Sequence, residues 1–328
     1  MKKADLSNFC STLVDCMNSN VFVVYDRNVE QYAMQIAGGR PAFGIVADED
    51  HKTIETVMEI CRWLLSQGAG RDAVLYAVGG GVTTDMVGFA AGIYKRGVRY
   101  INYPTTLLAM VDAGIGGKTG VNLDGYKNMV GVFKLPLRTV IRPEFLETLP
   151  ERELRSGAAE MLKSFIIENE DGNYEKAVKA LSGPVDFAAL KPLIEAAAMV
   201  KHKIVEKDTF ESSLRMVLNL GHTYGHAIEW WQHQAPGRKQ YAHGEAVAIG
   251  MVQAARISER EKFCKPGLVE KLAADFQACG LPTALPCPEE DLLPAVAKDK
   301  KASGDAVKFI VIKKIGKVAV YDLHLHTE

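Results

Sequence analysis

Over its first half the chain alternates between short unbroken apolar runs and segments whose apolar positions recur with helical period. Val21–Tyr25, Phe43–Ala47, Val74–Val78 and Arg99–Tyr103 read as buried strands, with a weaker one at Arg138–Ile141. Thr53–Ser66 places Ile54, Val57, Ile60, Cys61, Leu64 and Leu65 on one helical face. Such alternation predicts a mostly parallel, Rossmann-like sheet covered on both sides. Around Pro143–Pro150 the pattern changes. From Glu151 to about Lys300 nearly every segment is helical in period, interrupted at Gly183-Pro184, Ala235-Pro236-Gly237 and Gly280-Leu281-Pro282. Val307–Ile312 and Lys317–Tyr321, on either side of Gly316, predict a hairpin. The expected organisation is an α/β domain over residues 1–150 and a mainly α-helical domain over 151–328.

The length of 328 residues agrees with two domains at roughly 150 each. A composition 48% hydrophobic and 24% charged excludes disorder and fibrous repeats. The net charge of −1 provides no global field to hold a nucleic-acid backbone, so an anionic ligand must meet a local cluster of cations. The six cysteines (Cys10, Cys16, Cys61, Cys264, Cys279 and Cys287) form no CxxC pair, which predicts reduced thiols and neither a disulfide framework nor a cysteine zinc site. Met1-Lys2-Lys3-Ala4-Asp5 opens no apolar signal region, and no apolar run reaches membrane-spanning length, so a cytoplasmic protein with no membrane partner is expected.

Two glycine-rich stretches carry candidate chemistry. Gly79-Gly80-Gly81 follows a strand and opens a helix running through Ile93, where backbone can approach a ligand and free N–H groups meet phosphate. The spacing departs from GxGxxG because Thr84 holds the sixth position, and a plain tight turn is the competing reading. Gly114-Ile115-Gly116-Gly117-Lys118-Thr119 has Asp112 where a Walker A loop needs its first glycine, which makes a kinase or ATPase the weaker alternative. What remains is a flexible loop with Lys118, Asn122, Lys127 and Asn128 able to grip an anion.

Spacings of 4, 3, 4 and 3 put Arg215, Asn219, His222, His226 and Glu229 along one face of a helix otherwise rich in apolar residues. Polar groups in such surroundings need a ligand, a metal or a polar network. By spacing alone, His222 and His226 both bind metal, with His243 close by in sequence to the same elements. Gly221 and Gly225 weaken this helix by about 1 kcal/mol each, which suits a site where something packs against the backbone. In Glu151–Glu168, Glu160 and Lys163 fall opposite the apolar stripe, and from this helix alone they read as a surface ion pair. His324 and His326 read as tail residues.

Seven stretches in order resemble the 3-dehydroquinate synthase family: GGGVTTDMVGFAAGIYKRG (79–97), YPTTLLAMVDAGIGGKTGVN (103–122), GYKNMVGVF (125–133), LPERELRSGAAEMLK (149–163), LNLGHTYGHAIE (218–229), HGEAVAIGM (243–251) and DKK (299–301). The resemblance implies a lyase with the fold of that family. It would use NAD and a divalent metal, zinc or cobalt, to convert 3-deoxy-D-arabino-heptulosonate 7-phosphate into 3-dehydroquinate and phosphate in the shikimate pathway. A related sugar-phosphate cyclase and a metal-dependent NAD alcohol dehydrogenase are the alternatives.

Residue by residue, the resemblance implies Glu160, His222 and His243 as metal ligands, which moves His226 to the substrate phosphate. Lys201 and Arg215 correspond to carboxylate-binding residues, and Asn219 and Lys163 to hydroxyl or phosphate contacts. Lys118, Asn128, Arg96 and one of Lys300 and Lys301 correspond to the phosphate side, with Arg96 reaching across a homodimer interface. The NAD positions are Asp26, Asn28, Glu49, Lys52, Gly80, Gly81, Val82, Asp85, Thr105, Thr106, Asp112, Lys127, Phe145, Thr148, Leu149 and Glu153. The chain departs from the family pattern at Ala47-Asp48-Glu49, at Thr84 and in its short segment before Val21.

Overall fold

Five strands form one parallel sheet in the computed structural model, which describes residues 20–300 and 307–323. The chain divides into two units, Met1–Leu149 and Pro150–Glu328. In the first, β1 (Val21–Asp26), β2 (Ala42–Ile45), β3 (Val74–Gly79), β4 (Arg99–Pro104) and β7 (Arg138–Thr139) lie in the order β2-β1-β3-β4-β7. The central strands β1, from Val21 to Tyr25, and β3, throughout, are buried, as expected of continuous apolar runs covered on both faces.

Helices α2 (Ile54–Ser66) and α3 (Gly81–Ile93) cover one face through Val57, Ile60, Leu64, Met86, Val87 and Ala90. Helix α1 (Glu30–Ala37) covers the other through Ala33 and Ala37. Thr53 caps α2 by accepting from the Thr56 N–H, which starts the helix where its apolar face begins. The sheet grows from β1 to β2 in one direction and then adds β3 on the opposite side of β1. A crevice therefore opens beyond the carboxyl ends of β1 and β3, the place where such sheets bind ligands.

The segment expected to be a flexible glycine-rich loop is ordered. A π turn over Ala109–Ala113 leads into an antiparallel hairpin of β5 (Lys118–Leu123) and β6 (Tyr126–Phe133). Gly116 and Gly117 have φ of +109° and +64°, and a Cβ on Gly117 would sit 2.7 Å from the Lys134 carbonyl oxygen. The glycines thus serve the turn into a strand, and Thr119 and Val121 are buried within it.

In the second unit, α4 (Glu151–Ile167) is buried on nearly all sides from Ser156 onward, and α5 (Asn173–Leu181), α6 (Phe187–Lys207), α7 (His222–Gln232), α8 (His243–Arg260), α9 (Leu268–Ala278) and α10 (Leu293–Lys300) follow. The hairpin of β8 (Val307–Lys314) and β9 (Lys317–Leu323) ends the described chain. Close helix approach depends on small residues. A Cβ on Gly244 would lie 1.9 Å from the Ser156 carbonyl oxygen, and one on Gly250 would lie 1.9 Å from that of Gly221.

Two expectations need correction here. Residues 215–229 are not one helix: a 3-10 segment over Leu214–Asn219 ends at Leu220, and Gly221, at φ +80°, turns the chain into α7. The left-handed glycine packs against Val247 and Met251 of α8, which fixes the break. Glu160 and Lys163 are also not a surface pair, being 0% and 1% exposed. Helix α4 is enclosed on the face that the sequence pattern assigned to solvent, because α8 lies against it at Ser156 and Gly244. Among the described cysteines, Cys61, Cys264, Cys279 and Cys287 are free, and burial pushes the Cys279 thiol up to about 11. Cys10, Cys16, Lys301, His324 and His326 lie outside the described residues.

Candidate active site

The second unit brings Glu160 of α4, His222 at the start of α7 and His243 at the start of α8 to one point. One ligand atom from each lies within 4.8 Å of the others. The Nε2 atoms of His222 and His243 stand 3.9 and 3.7 Å from Oε1 of Glu160. Oε1 of the carboxylate is buried without a hydrogen-bond partner, and Lys163 pairs ionically with Oε2. A sealed carboxylate oxygen left without a donor is costly unless a second cation completes it.

The two imidazoles are oriented for the same purpose. His222 Nδ1–H donates to the Leu220 carbonyl at 3.1 Å, and His243 Nδ1–H donates to the Glu229 carboxylate at 3.3 Å. Each acceptor forces the proton onto Nδ1 and leaves the Nε2 lone pair facing Glu160. Burial holds the His222 imidazole well below its ordinary value, with the Lys163 cation adding to the effect, so the ring is neutral at neutral pH. Burial also acts downward on His243, but its hydrogen bond and charge interaction with Glu229 outweigh it and the net shift is upward. A carboxylate and two imidazole nitrogens are a donor set that suits zinc and neighbouring divalent transition metals.

His226, one turn beyond His222, is exposed and outside this group; its ring centroid is 5.3 Å from that of His222 and 6.5 Å from that of His243. Lys163, Lys201 and Arg215 are cations buried in the same unit, at 1%, 7% and 2% exposure. Arg215 is delivered by a tight turn: the Asp208 carboxylate accepts from the backbone N–H groups of Ser212, Ser213 and Arg215, which holds Asp208 far below the usual carboxylate range. Asn219 Nδ2 donates to Glu211 at 2.9 Å. Lys300 ends α10, and Glu153 lies in the first turn of α4.

In the first unit, Asp26 ends β1 and Asn28 follows it, while Gly80, Gly81, Val82 and Asp85 follow β3, at the two sides of the crevice. No side chain caps α3 at Gly80, so its first turn presents backbone N–H groups outward. A Cβ on Gly80 or Gly81 would meet Thr106 or Ala113 at 3.1 or 3.0 Å, so a side chain there would have to push these neighbours aside. Thr105 N–H bonds to the Gly79 carbonyl, and Thr106 Oγ1 accepts from Ala109, joining the glycine turn to the π turn that carries Asp112. Lys52, only 4% exposed, donates to Asp85 at 2.7 Å and Asn128 at 2.6 Å. Tyr32 holds Phe145 by ring contact and Thr148 by a hydrogen bond, next to Leu149. Lys118, Lys127 and Arg96 are exposed, with Arg96 at φ +69° after Lys95 at +49°.

Two residues that organise this chemistry carry no assignment from the sequence, Tyr32 and Ser156. Asn122, read from the sequence as one of the loop residues able to grip an anion, accepts from the Asn128 N–H and donates to Glu49, and Glu229, read as part of the polar stripe, accepts from His243.

A solved 2-epi-5-epi-valiolone synthase from Streptomyces hygroscopicus, with NAD+ and Zn2+ bound, superposes with a TM-score of 0.82 at 28% identity, covering 99% of this chain and 92% of that one. A 2-deoxy-scyllo-inosose synthase complexed with carbaglucose-6-phosphate, NAD+ and Co2+ gives 0.81 at 26% identity, covering 93% and 87%. These likenesses define a cyclase-type fold. Models of the 3-dehydroquinate synthase N-terminal and C-terminal domains match residues 42–156 and 157–302. The 3-dehydroquinate synthase of Acidithiobacillus ferrooxidans is 43% identical over 311 residues, covering 92% of this chain and 84% of the relative. The chain belongs to the 3-dehydroquinate synthase family.

Proposed function

We propose that the chain converts 3-deoxy-D-arabino-heptulosonate 7-phosphate into 3-dehydroquinate and phosphate, with NAD and a divalent metal, zinc or cobalt, as cofactors. The observation that carries this reading is the convergence of Glu160, His222 and His243 on one point, with Oε1 of the buried carboxylate facing both histidines and meeting no hydrogen-bond donor. Family membership supports it throughout. When bound, the metal polarises a substrate hydroxyl and NAD takes up and returns a hydride.

The remaining roles belong to the chain itself. Lys201 and Arg215 bind the substrate carboxylate, and their burial strengthens that attraction. Lys163 and Asn219 hold substrate hydroxyls or phosphate, and His226 serves as a polar or proton-relaying group at the phosphate. Lys118, Asn128, Arg96 and Lys300 or Lys301 receive the phosphate. A substrate with about three negative charges needs such a focused group of cations in a protein of net charge −1. Asp26, Asn28, Glu49, Lys52 and the Gly80-Gly81-Val82 turn with Asp85 hold the NAD, together with Thr105, Thr106, Asp112, Lys127, Phe145, Thr148, Leu149 and Glu153. We further assign a homodimer acting in the cytoplasm; among the described residues no helix is long and apolar enough to cross a membrane.

Cyclases acting on sugar phosphates without a carboxylate form the second reading, and the two buried cations Lys201 and Arg215 weigh against it. The deciding experiment incubates the protein with NAD, Zn2+ and the heptulosonate phosphate while phosphate and nicotinamide absorbance are followed. Phosphate release without net NADH is expected. Release only from a sugar phosphate lacking the carboxylate would overturn the substrate, and accumulating NADH would point to a dehydrogenase.

A further inference from the structure

Glu229 is a carboxylate at 8% exposure on a helix whose neighbouring side chains Ala227 and Ile228 are buried and apolar. A charge in that setting requires a strong partner, and the structure supplies one in the Nδ1–H of His243 at 3.3 Å. The opposite ring nitrogen of His243 faces Glu160 at 3.7 Å. His222 is oriented differently, by the backbone carbonyl of Leu220. The two histidines therefore differ: one ring leans on a neutral dipole, the other on a full negative charge.

The backbone carrying His243 is braced separately. Glu245 accepts from the Ala242 N–H at 2.6 Å and from Arg152 at 2.9 Å, and the Gly244 N–H donates to Ser156 Oγ at 3.0 Å. These contacts place the Cα of His243 but leave its ring free to rotate about χ1 and χ2. Of the contacts described, that with Glu229 fixes the ring.

We infer that Glu229 is a positioning residue that fixes the tautomer and orientation of the His243 ring, and thereby sets the affinity of the Glu160–His222–His243 site for a divalent cation. The inference rests on the metal reading proposed above. An outer carboxylate that accepts from a ligating imidazole both aims its lone pair and makes the nitrogen a stronger donor, and losing such a partner costs roughly 10–100-fold in metal affinity.

The test titrates metal-free protein with Co2+ against a competing chelator, reading the visible absorption of the bound ion. Glu229→Ala is expected to weaken binding by about 10–100-fold and to change the cobalt spectrum. Glu229→Gln, which preserves size and an acceptor oxygen, is expected to fall between wild type and Glu229→Ala, and it carries the test alone should the alanine variant fail to fold. In a His243→Ala background, Glu229→Ala should add no further loss, because its effect runs through that ring. Unchanged affinity in the Glu229 variants, or an undiminished further loss in the His243→Ala background, would overturn the inference. Cobalt uptake that is absent, or indifferent to Glu160→Gln and His243→Ala, would remove the metal reading itself; uptake that depends on these two but not on Glu229 removes this inference alone.

Discussion

Lys163 and Glu160 stand one turn apart on α4 and form an ion pair with both side chains sealed, at 2% and 0% exposure. The lysine occupies one carboxylate oxygen, and the other is directed at the histidines. The pair is thus neutral overall yet leaves one carboxylate oxygen open to a second cation, and Lys163 keeps Glu160 from being a bare buried charge in the metal-free chain.

Glu160→Gln is expected to abolish stoichiometric metal uptake while the folded state persists. The amide keeps the shape of the side chain but removes the negative charge from the donor set. Affinity should fall by more than the roughly 10–100-fold typical of an outer-sphere partner. Equilibrium dialysis with metal analysis, alongside circular dichroism, measures both; a folded variant that takes up metal as the wild type does would contradict the ligand assignment.

Asp208 has its folded-state pKa depressed by three backbone donors, so its contribution to stability is present above the ordinary carboxylate value near 4 and is lost as pH falls below it. Asp208→Asn should therefore lower the urea midpoint at pH 7, and the gap to wild type should narrow by pH 3. Because the same turn delivers Arg215, the variant should also raise KM for a carboxylate-bearing substrate. A gap that is constant with pH would refute the role given to the carboxylate.

Gly250→Ala tests the packing that assembles the site. The added Cβ would fall 1.9 Å from the Gly221 carbonyl oxygen, which is backbone and cannot rotate away. Overpacking of this kind costs about 1–3 kcal/mol or more, and a lower melting temperature should be accompanied by weaker metal binding, since His222 follows Gly221 directly. A variant with unchanged melting and unchanged metal affinity would show that the two helices can separate at no cost, against the packing role given to Gly250.

Lys52→Met removes the buried ammonium that joins Asp85 to Asn128. Hydrogen bonds to charged groups contribute about 1.5–3 kcal/mol each, so NAD affinity is expected to fall about tenfold or more. Fluorescence titration with NAD gives the value directly. Affinity equal to wild type would separate Lys52 from the cofactor site.

Strand and helix identity were legible because they follow from local periodicity: Val74–Val78 reads as a buried strand, and Thr53–Ser66 as an amphipathic helix, which the structure starts at Ile54 with Thr53 as its cap. The glycine turn after β3 was legible for the same reason. Spacing alone paired His222 with His226, and only the family resemblance joined His222 to Glu160 and His243. The burial of Glu160 and Lys163, the break at Gly221 and the hairpin after Gly117 are tertiary facts, set by α8 lying against α4 and α7 and by backbone packing against Lys134. Helical period records which residues share a face, but it is blind to what covers that face. Donors drawn from three helices meet only where the approach of those helices, made possible by Gly244, Gly221 and Gly250, brings their ends to a common point.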